Sequence, residues 1–410
     1  MPDEPFEVIV AGGGIAGLEA TLAVHALAAE RATITLVAPE REFSYRPMEV
    51  EEPFSLVPAA RRDLAAIATE LGGRFICDAL AAVDESGSRV ELAGGGDLRY
   101  DALMVCVGAR QRLALPAAET LIGPGPTPAV NDLLARAAAH PSRRLAIVVP
   151  AGVTWPLPAY ELALMAARRA RELGHDRLET VIVSPEAAPL IIFGPFVSRR
   201  VYELLRARGV SFLPSAYATE VEGGGIVILP GRSSLDAGAT VALPVPSGPR
   251  IPGLPQDRDG FIPIDDHARV PACRGVYAAG DGTTFPIKQG GIATQQADAA
   301  AQHIAATLGL IADPEQFRPV LRGKLLAGEE SLHMRIDSSG GGGEGVASDD
   351  YLWWPPHKVA GLYLSPWLED ESRHLEPEPP RRSIEVEVAL PGEWHREPLA
   401  LDPYSSFGGH

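Results

Sequence analysis

Gly12, Gly14 and Gly17 follow directly on the apolar run Phe6-Glu7-Val8-Ile9-Val10-Ala11 and lead into a helical pattern from Leu18 to Ala29. The G-x-G-x-x-G spacing between a strand and a helix is the spacing that holds a dinucleotide. Gly12 allows the tight turn, Gly14 lets the backbone approach a pyrophosphate, and Gly17 lets the helix pack closely on its strand. The free amides at the helix start, from Ile15 and Ala16 onward, then point at the phosphates. A second strand is expected at Ala32 to Val37, and Glu40 lies 23 residues after Gly17, near the distance at which an acid grips the adenosine ribose. Ala38 holds the strand end where that acid more often falls, so Glu40 reaches from two residues further on.

The chain that must position these residues has 410 of them, enough for two or three domains of roughly 100–200 residues each. With 46% hydrophobic and 22% charged residues it is neither disordered nor fibrous, and its 42 Gly and 38 Pro imply many tight turns. A net charge of −17 repels polyanions and excludes general nucleic-acid binding. Cys77, Cys106 and Cys273 form no C-x-x-C pair, so neither a disulfide framework nor a local redox dithiol is indicated, and no metal site is expected. The acidic start Met1-Pro2-Asp3-Glu4-Pro5 does not read as a secretory signal. The longest uncharged run, Leu145 to Tyr160, is broken by Pro150, Pro156 and Pro158 and is shorter than the ~20 apolar residues that span a bilayer. A cytoplasmic location without a transmembrane helix is therefore expected.

Two later segments, Leu98-Arg99-Tyr100-Asp101-Ala102-Leu103-Met104-Val105-Cys106-Val107-Gly108-Ala109 and Gly275-Val276-Tyr277-Ala278-Ala279-Gly280-Asp281, resemble two further signatures of FAD enzymes in the glutathione-reductase-like superfamily. The resemblance implies that the cofactor is FAD, that Val107, Gly108, Gly280 and Asp281 contact it, and that Asp281 serves its ribityl and phosphate region. It also implies an α/β fold of two Rossmann-like, glutathione-reductase-type dinucleotide-binding domains. The FAD domain, residues 1–115 and 245–312, is split by an inserted NAD(P)-type domain, 116–244, with a degenerate glycine motif. A C-terminal region, 313–410, follows. The Pro/Gly-rich stretches 116–128 and 244–255 read as the crossings, and Ser338-Ser339-Gly340-Gly341-Gly342-Gly343 reads as a flexible run.

Within the superfamily, residues 5 to 312 look like the branch containing sulfide:quinone oxidoreductases, flavocytochrome sulfide dehydrogenases and type II NADH dehydrogenases. The bend Phe43-Ser44-Tyr45-Arg46-Pro47 is shared by that branch, and Pro158-Ala159-Tyr160-Glu161, Ser184-Pro185-Glu186 and Pro286-Ile287-Lys288-Gln289-Gly290 look closer to the sulfide enzymes. The resemblance adds Arg41, Arg46, Pro47, Gly291 and Ile292 to the cofactor contacts. It also aims the start of a helix expected over 292–308 at the pyrimidine end of the flavin, where the helix dipole favours the charge of the reduced form. Lys288 could add a full charge there, or be a solvated lysine ahead of a helix. Matching Glu161 to the glutamate that follows the family's second glycine motif makes it a candidate acid at the flavin's reactive face, or only a first-turn helix acid.

The same matching puts Thr154, Pro156 and Ala159 at the three glycine positions, between the strand 144–149 and a helix expected over Ala159 to Leu173. Proline donates no amide hydrogen and Trp155 puts a ring where pyrophosphate needs bare backbone, so ordinary NAD(P)H binding is not expected; an unusual site using Gly152 is the alternative. The cysteine pair of the sulfide enzymes falls on Trp155 and Gly282, so sulfide chemistry of that type is not expected either. The Ala-Gln pair of the NADH dehydrogenases falls on Gly290-Gly291, with Gln295 one turn later, which leaves quinone contact open.

The aromatics of Tyr351-Leu352-Trp353-Trp354-Pro355-Pro356 and Leu362-Tyr363-Leu364-Ser365-Pro366-Trp367-Leu368 suit packing against the FAD domain or a homodimer mate. Peripheral membrane contact is the alternative, although Lys358 is almost the sole cation there and Glu369-Asp370-Glu371 follows. The leading expectation is an FAD-dependent oxidoreductase moving two electrons from a small donor to an acceptor such as a quinone. The alternatives are an NAD(P)H dehydrogenase with an atypical loop and a non-enzymatic FAD-binding redox sensor or scaffold.

Overall fold

Val8 to Ala11 are buried on both strand faces, as a strand must be when helices cover both sides of a parallel sheet. The computed structural model describes residues 5–54, 61–123, 129–220, 226–328, 331–337 and 345–375, and the glycine-rich run 338–343 lies outside them. Phe6–Ala11 is the centre of a five-stranded sheet in the order Val276–Ala278, Ala102–Val105, Phe6–Ala11, Ala32–Ala38, Arg74–Cys77. All its pairs are parallel, and Val8 lies between Ile34 and Ala102. Segments more than 160 residues apart in sequence thus share one sheet, with the final strand, 276–278, supplied by the Ala-Gly-Asp segment.

Helices Ile15–Ala28 and Gly290–Thr307 lie against each other on one side of this sheet, and the contact is lined by small residues: Ala16, Ala20, Ala23, Ala293, Ala297 and Ala300 are all buried in one cluster. A second parallel sheet runs in the order Val210–Leu213, Glu179–Val183, Arg144–Val148, Ala239–Ala242. Its helix spans Leu157–Glu172, starting two residues before the expected Ala159. Pro158 is the reason: proline is tolerated in a first helical turn, where its missing N–H has no partner to lose. The helix after Asp281 likewise starts two residues early, at Gly290, because the side chain of Gln289 accepts the Ile292 amide and caps it.

Smaller antiparallel sheets complete the chain. One, Val320–Leu326 with Ser331–Asp337 and Val346–Ser348, packs its apolar face, including Leu321, Leu325, Leu332 and Met334, onto the core around helix 157–172. A helix, Leu364–Leu375, follows it. Among the described residues no helix is long and apolar enough to cross a membrane, and no group of His, Cys, Asp and Glu could hold a metal.

Candidate active site

The three glycines of the first loop have different neighbours. A Cβ at Gly12, whose φ is +121°, would stand 2.2 Å from the Cys106 carbonyl oxygen, and one at Gly17 would stand 1.7 Å from the Gly12 carbonyl oxygen. Both glycines are needed for the chain to pass itself. A Cβ at Gly14 would meet nothing within 4 Å. Its backbone, φ −88° and ψ −164°, suits any residue, so the demand for glycine there does not come from the protein. No side chain caps the helix that follows, and the amides of Ile15, Ala16 and Gly17 find no acceptor among the described residues. An open backbone cradle at the positive end of a helix fits a pyrophosphate. At the strand end, Glu40 is exposed and lies only 4.0 Å from Arg46, an arrangement that leaves its carboxylate free for ribose hydroxyls; Arg41 beside it is exposed too.

Gly280 closes the opposite side of the same sheet. Its φ of +89° needs glycine, and a Cβ there would sit 3.1 Å from Ala16 and 3.4 Å from Ala293, between the starts of the two helices. The Gln296 side chain accepts the Gly280 amide at 2.7 Å, a support the sequence reading missed. Val107 and Gly108 follow the end of the neighbouring strand, both half-buried, with Gly108 at φ +71°. Asp281 follows. Burial raises its carboxyl above the usual range, Lys288 and Arg46 pull it back, and no described residue donates it a hydrogen bond.

Lys288 is not a free surface lysine. Its Nζ donates to the carbonyls of Thr283 at 2.5 Å and Phe285 at 2.8 Å, and lies 3.9 Å from the Phe261 ring centroid. Burial brings the ammonium down to about 8, against the pull of Asp281 and Asp257. Arg46, Asp281 and Lys288 therefore share one electrostatic neighbourhood, ahead of the helix that starts at Gly290 and Gly291, with Ile292 buried beneath.

The second loop is built otherwise. Gly152 has φ +91°, Thr154 buries a hydroxyl without a partner, and the half-buried Trp155 ring meets Phe193 edge-on at 5.8 Å within the apolar core. Trp155 thus fills space. Of the first three helical residues, Pro158 has no amide, the Ala159 amide donates to Pro156 at 2.9 Å, and only Leu157 remains. Three residues past the second strand, Glu186 takes the hydroxyls of Tyr160 at 2.6 Å and Ser184 at 2.8 Å. That use of Glu186 was missed from the sequence, and the signal available was its place three residues after a parallel strand, one residue further on than Glu40 lies after its strand in the first unit.

Glu161 is wholly buried. Its Oε1 accepts the Leu326 amide at 3.0 Å and its Oε2 pairs with Lys358 Nζ at 2.7 Å, which also donates to the Pro47 carbonyl at 2.7 Å. Burial raises the Glu161 carboxyl while Lys358 opposes the rise. The lone cation of the aromatic region is thus a buried partner for the candidate acid, drawing that acid to the bend at Tyr45-Arg46-Pro47. Cys106 is buried, its thiol pushed up to about 12 by desolvation, which suits an inert packing role. The C-terminal aromatics divide: Trp353 donates to His357 and packs edge-on to His333, whereas Tyr351, Trp354 and Leu362 are more than half exposed.

Two parallel sheets, an open glycine turn at a helix start and an Ala-Gly-Asp turn define a Rossmann-like dinucleotide-binding oxidoreductase fold. The chain belongs to the pyridine nucleotide-disulphide oxidoreductase family, whose profile matches residues 6–303, and it is an FAD-dependent oxidoreductase. Over 302 residues, 69% of this chain and 68% of the relative, it is 26% identical to the benzene 1,2-dioxygenase system ferredoxin–NAD(+) reductase subunit of Pseudomonas putida. Its fold is similar to that of the sulfide:quinone oxidoreductase of Aquifex aeolicus, with TM-score 0.74 and 18% identity over 84% of this chain and 86% of that one. It is also similar to a ferredoxin reductase from Rhodopseudomonas palustris, with TM-score 0.59 and 21% identity over 82% and 83% of the two chains.

Proposed function

We propose that this chain binds FAD in the lobe formed by residues 1–115 and 245–312, and that it passes two electrons from a small donor other than NAD(P)H to an acceptor such as a quinone. The observation that carries the reading is the contrast between the two helix starts: Ile15, Ala16 and Gly17 offer three free amides, whereas the first three residues of the second helix offer Leu157 alone. In the first lobe, Gly12, Gly14, Ile15, Ala16 and Gly17 hold the pyrophosphate, Glu40 with Arg41 holds the ribose, and Asp281 with Gly280 serves the ribityl side. Arg46, Pro47, Val107 and Gly108 line the cleft. When bound, FAD supplies the two-electron carrier. Lys288, with the Gly291 amide and the helix start that holds Ile292, stabilises negative charge at the pyrimidine end. Glu161, kept in place by Lys358, is the candidate acid at the flavin's reactive face. Residues 116–244 then act as a structural lobe, and the exposed Tyr351 and Trp354 suit peripheral contact or a second copy of the chain.

The test is an anaerobic absorbance titration of the purified yellow protein. NADH and NADPH are expected to leave the flavin oxidised, dithionite to bleach it, and a soluble quinone to reoxidise it. Fast bleaching by micromolar NADH would overturn the reading. It would favour the second one, an NAD(P)H dehydrogenase using Gly152, for which the named NAD(+) reductase relative speaks.

A further inference from the structure

Gly290 and Gly291 open the helix 290–307, and a first turn made of two glycines is costly to order. Both leave room for neighbours: a Cβ on Gly290 would stand 2.7 Å from the Val359 side chain, and one on Gly291 would stand 3.0 Å from Gln289 Oε1. Their amides find no acceptor among the described residues. Two glutamines hold the turn. Gln289, buried just ahead of it, accepts the Ile292 amide through Oε1 at 2.9 Å and donates through Nε2 to the Arg322 carbonyl at 2.9 Å. Gln295, one helical turn on, donates through Nε2 to the Gly291 carbonyl at 2.5 Å and to the Val320 carbonyl at 3.0 Å, while its Oε1 accepts the Val320 amide at 2.8 Å.

Both glutamines grip the same strand, Val320–Leu326. It lies at the edge of its three-stranded sheet, paired only with Ser331–Asp337, and an edge presents amides and carbonyls without strand partners. Here Gln295 takes up Val320, Gln289 takes up Arg322, and the Leu326 amide at the far end goes to Glu161. Leu321 and Leu325 on the same strand are buried in the core around helix 157–172. The strand is thus fixed by its own packing and serves as an anchor for the glycine turn. Neither glutamine carries a charge, so the hold restricts where the two free amides point without adding a field of its own. Both Nε2 hydrogens of Gln295 are spent on it, which leaves none to donate to an electron acceptor.

We propose that Gln289 and Gln295 are positioning residues that fix the Gly290 and Gly291 amides against strand 320–326, ready for negative charge on the cofactor. This rests on the FAD reading above, which puts that charge at the pyrimidine end of the reduced flavin. Donors fixed before a charge develops need no rearrangement when it does, whereas a loose turn would lose conformational entropy on meeting it. The hold therefore favours the reduced form over the oxidised one.

The test compares the two redox forms. Titration of the flavin-free protein with FAD gives the affinity for the oxidised form, and the midpoint potential of the bound flavin then gives that for the reduced form. Gln289→Met and Gln295→Met keep the side-chain length and lose the bonds. Each should weaken binding of reduced FAD about tenfold more than of oxidised FAD, read as a fall of about 30 mV in the two-electron midpoint potential. Leu321→Ala, which opens a hole under the same strand, controls for instability alone and should leave the potential where it is. Equal weakening of both forms in the methionine variants, or the same fall in Leu321→Ala, would overturn the proposal. Should a methionine variant fail to fold, Gly291→Ala serves instead, since its Cβ crowds the Gln289 side chain off the turn, and the same fall is expected. Hydrogen–deuterium exchange across 290–294, measured without flavin, reads the hold itself. Faster exchange in the methionine variants is expected, and unchanged exchange would sink the idea that the glutamines fix the turn. A protein that takes up no FAD would count against the functional reading, while the exchange result still decides whether the hold exists.

Discussion

The two strand–turn–helix units of this chain share a topology and differ in what their turns leave open. In the first, the turn is held by Gly12 and Gly17, which the protein needs for its own packing, while Gly14 faces open space and three helix amides stay free. In the second, the comparable ground is taken up by Trp155 against Phe193, by two prolines, and by a Tyr160 hydroxyl that engages the acid after the second strand. A Rossmann-like topology thus places a helix end, but whether that end can bind an anion depends on which amides and carboxylates the protein has left unused.

The sharpest way to break that comparison is to substitute its two central glycines separately. Gly14→Val should fold, because its φ and ψ suit valine and no atom stands within 4 Å, yet it should purify without flavin. Gly17→Ala should fail to fold, because its Cβ would stand 1.7 Å from a backbone oxygen. Absorbance at the flavin bands and circular dichroism of the purified variants read the two outcomes. Normal flavin content in folded Gly14→Val would refute the placement of the pyrophosphate. The matched change in the second loop, Gly152→Ala, should cost ~1–3 kcal/mol through its left-handed backbone and leave flavin content unchanged.

A smaller but still large effect is expected at the start of the second helix. Lys358→Met leaves the Glu161 carboxylate buried without its partner, and removing one member of such a pair costs about 3–5 kcal/mol. Chemical denaturation should show that loss, and Glu161→Gln combined with Lys358→Met should recover part of it, giving a non-zero coupling in the double-mutant cycle. Additive effects would mean that the 2.7 Å pair does not hold the helix to the bend. Tyr160→Phe comes next. It removes one of the two hydroxyl donors to Glu186 and the acceptor of the Leu190 amide, for an expected cost of about 1–2 kcal/mol, with no NADH binding gained in calorimetry. Gained binding would show that Tyr160 was keeping the acid from a ribose.

What could be read from sequence follows from how local each feature is. The first loop was legible because its spacing encodes its own geometry, and Gly280-Asp281 because a short run resembles a known turn. The helix starts at Leu157 and Gly290 were each read two residues late, since Pro158 and the glycines look like breaks although a first turn tolerates them. The contacts that decide the candidate acids were not legible. Glu186 meets Tyr160 26 residues away, and Glu161 meets Lys358 197 residues away. No periodicity reports such pairs. Lys358 looked like the lone cation of an aromatic surface, and only tertiary packing turns it into a buried counter-ion.

The subtlest test concerns the charge that Lys288 places beside Asp281. Lys288 is brought down from its ordinary 10.5 to about 8 by burial, so between those pH values the unfolded chain holds a proton there that the folded protein does not. Folding stability should then rise with pH across that window in the wild type, relative to Lys288→Met, which has no such group. Below about pH 8 the lysine is charged, and there the substitution should lower the midpoint potential of the bound flavin, since a cation near the pyrimidine end favours the anionic reduced form. Above that pH the gap between the two proteins should close as Lys288 loses its proton. Denaturation curves and potentiometric titrations of both proteins from pH 6.5 to 10 separate the two effects. A potential gap that persists unchanged at high pH would mean that the lysine shapes the loop through its bonds to Thr283 and Phe285, not by its charge.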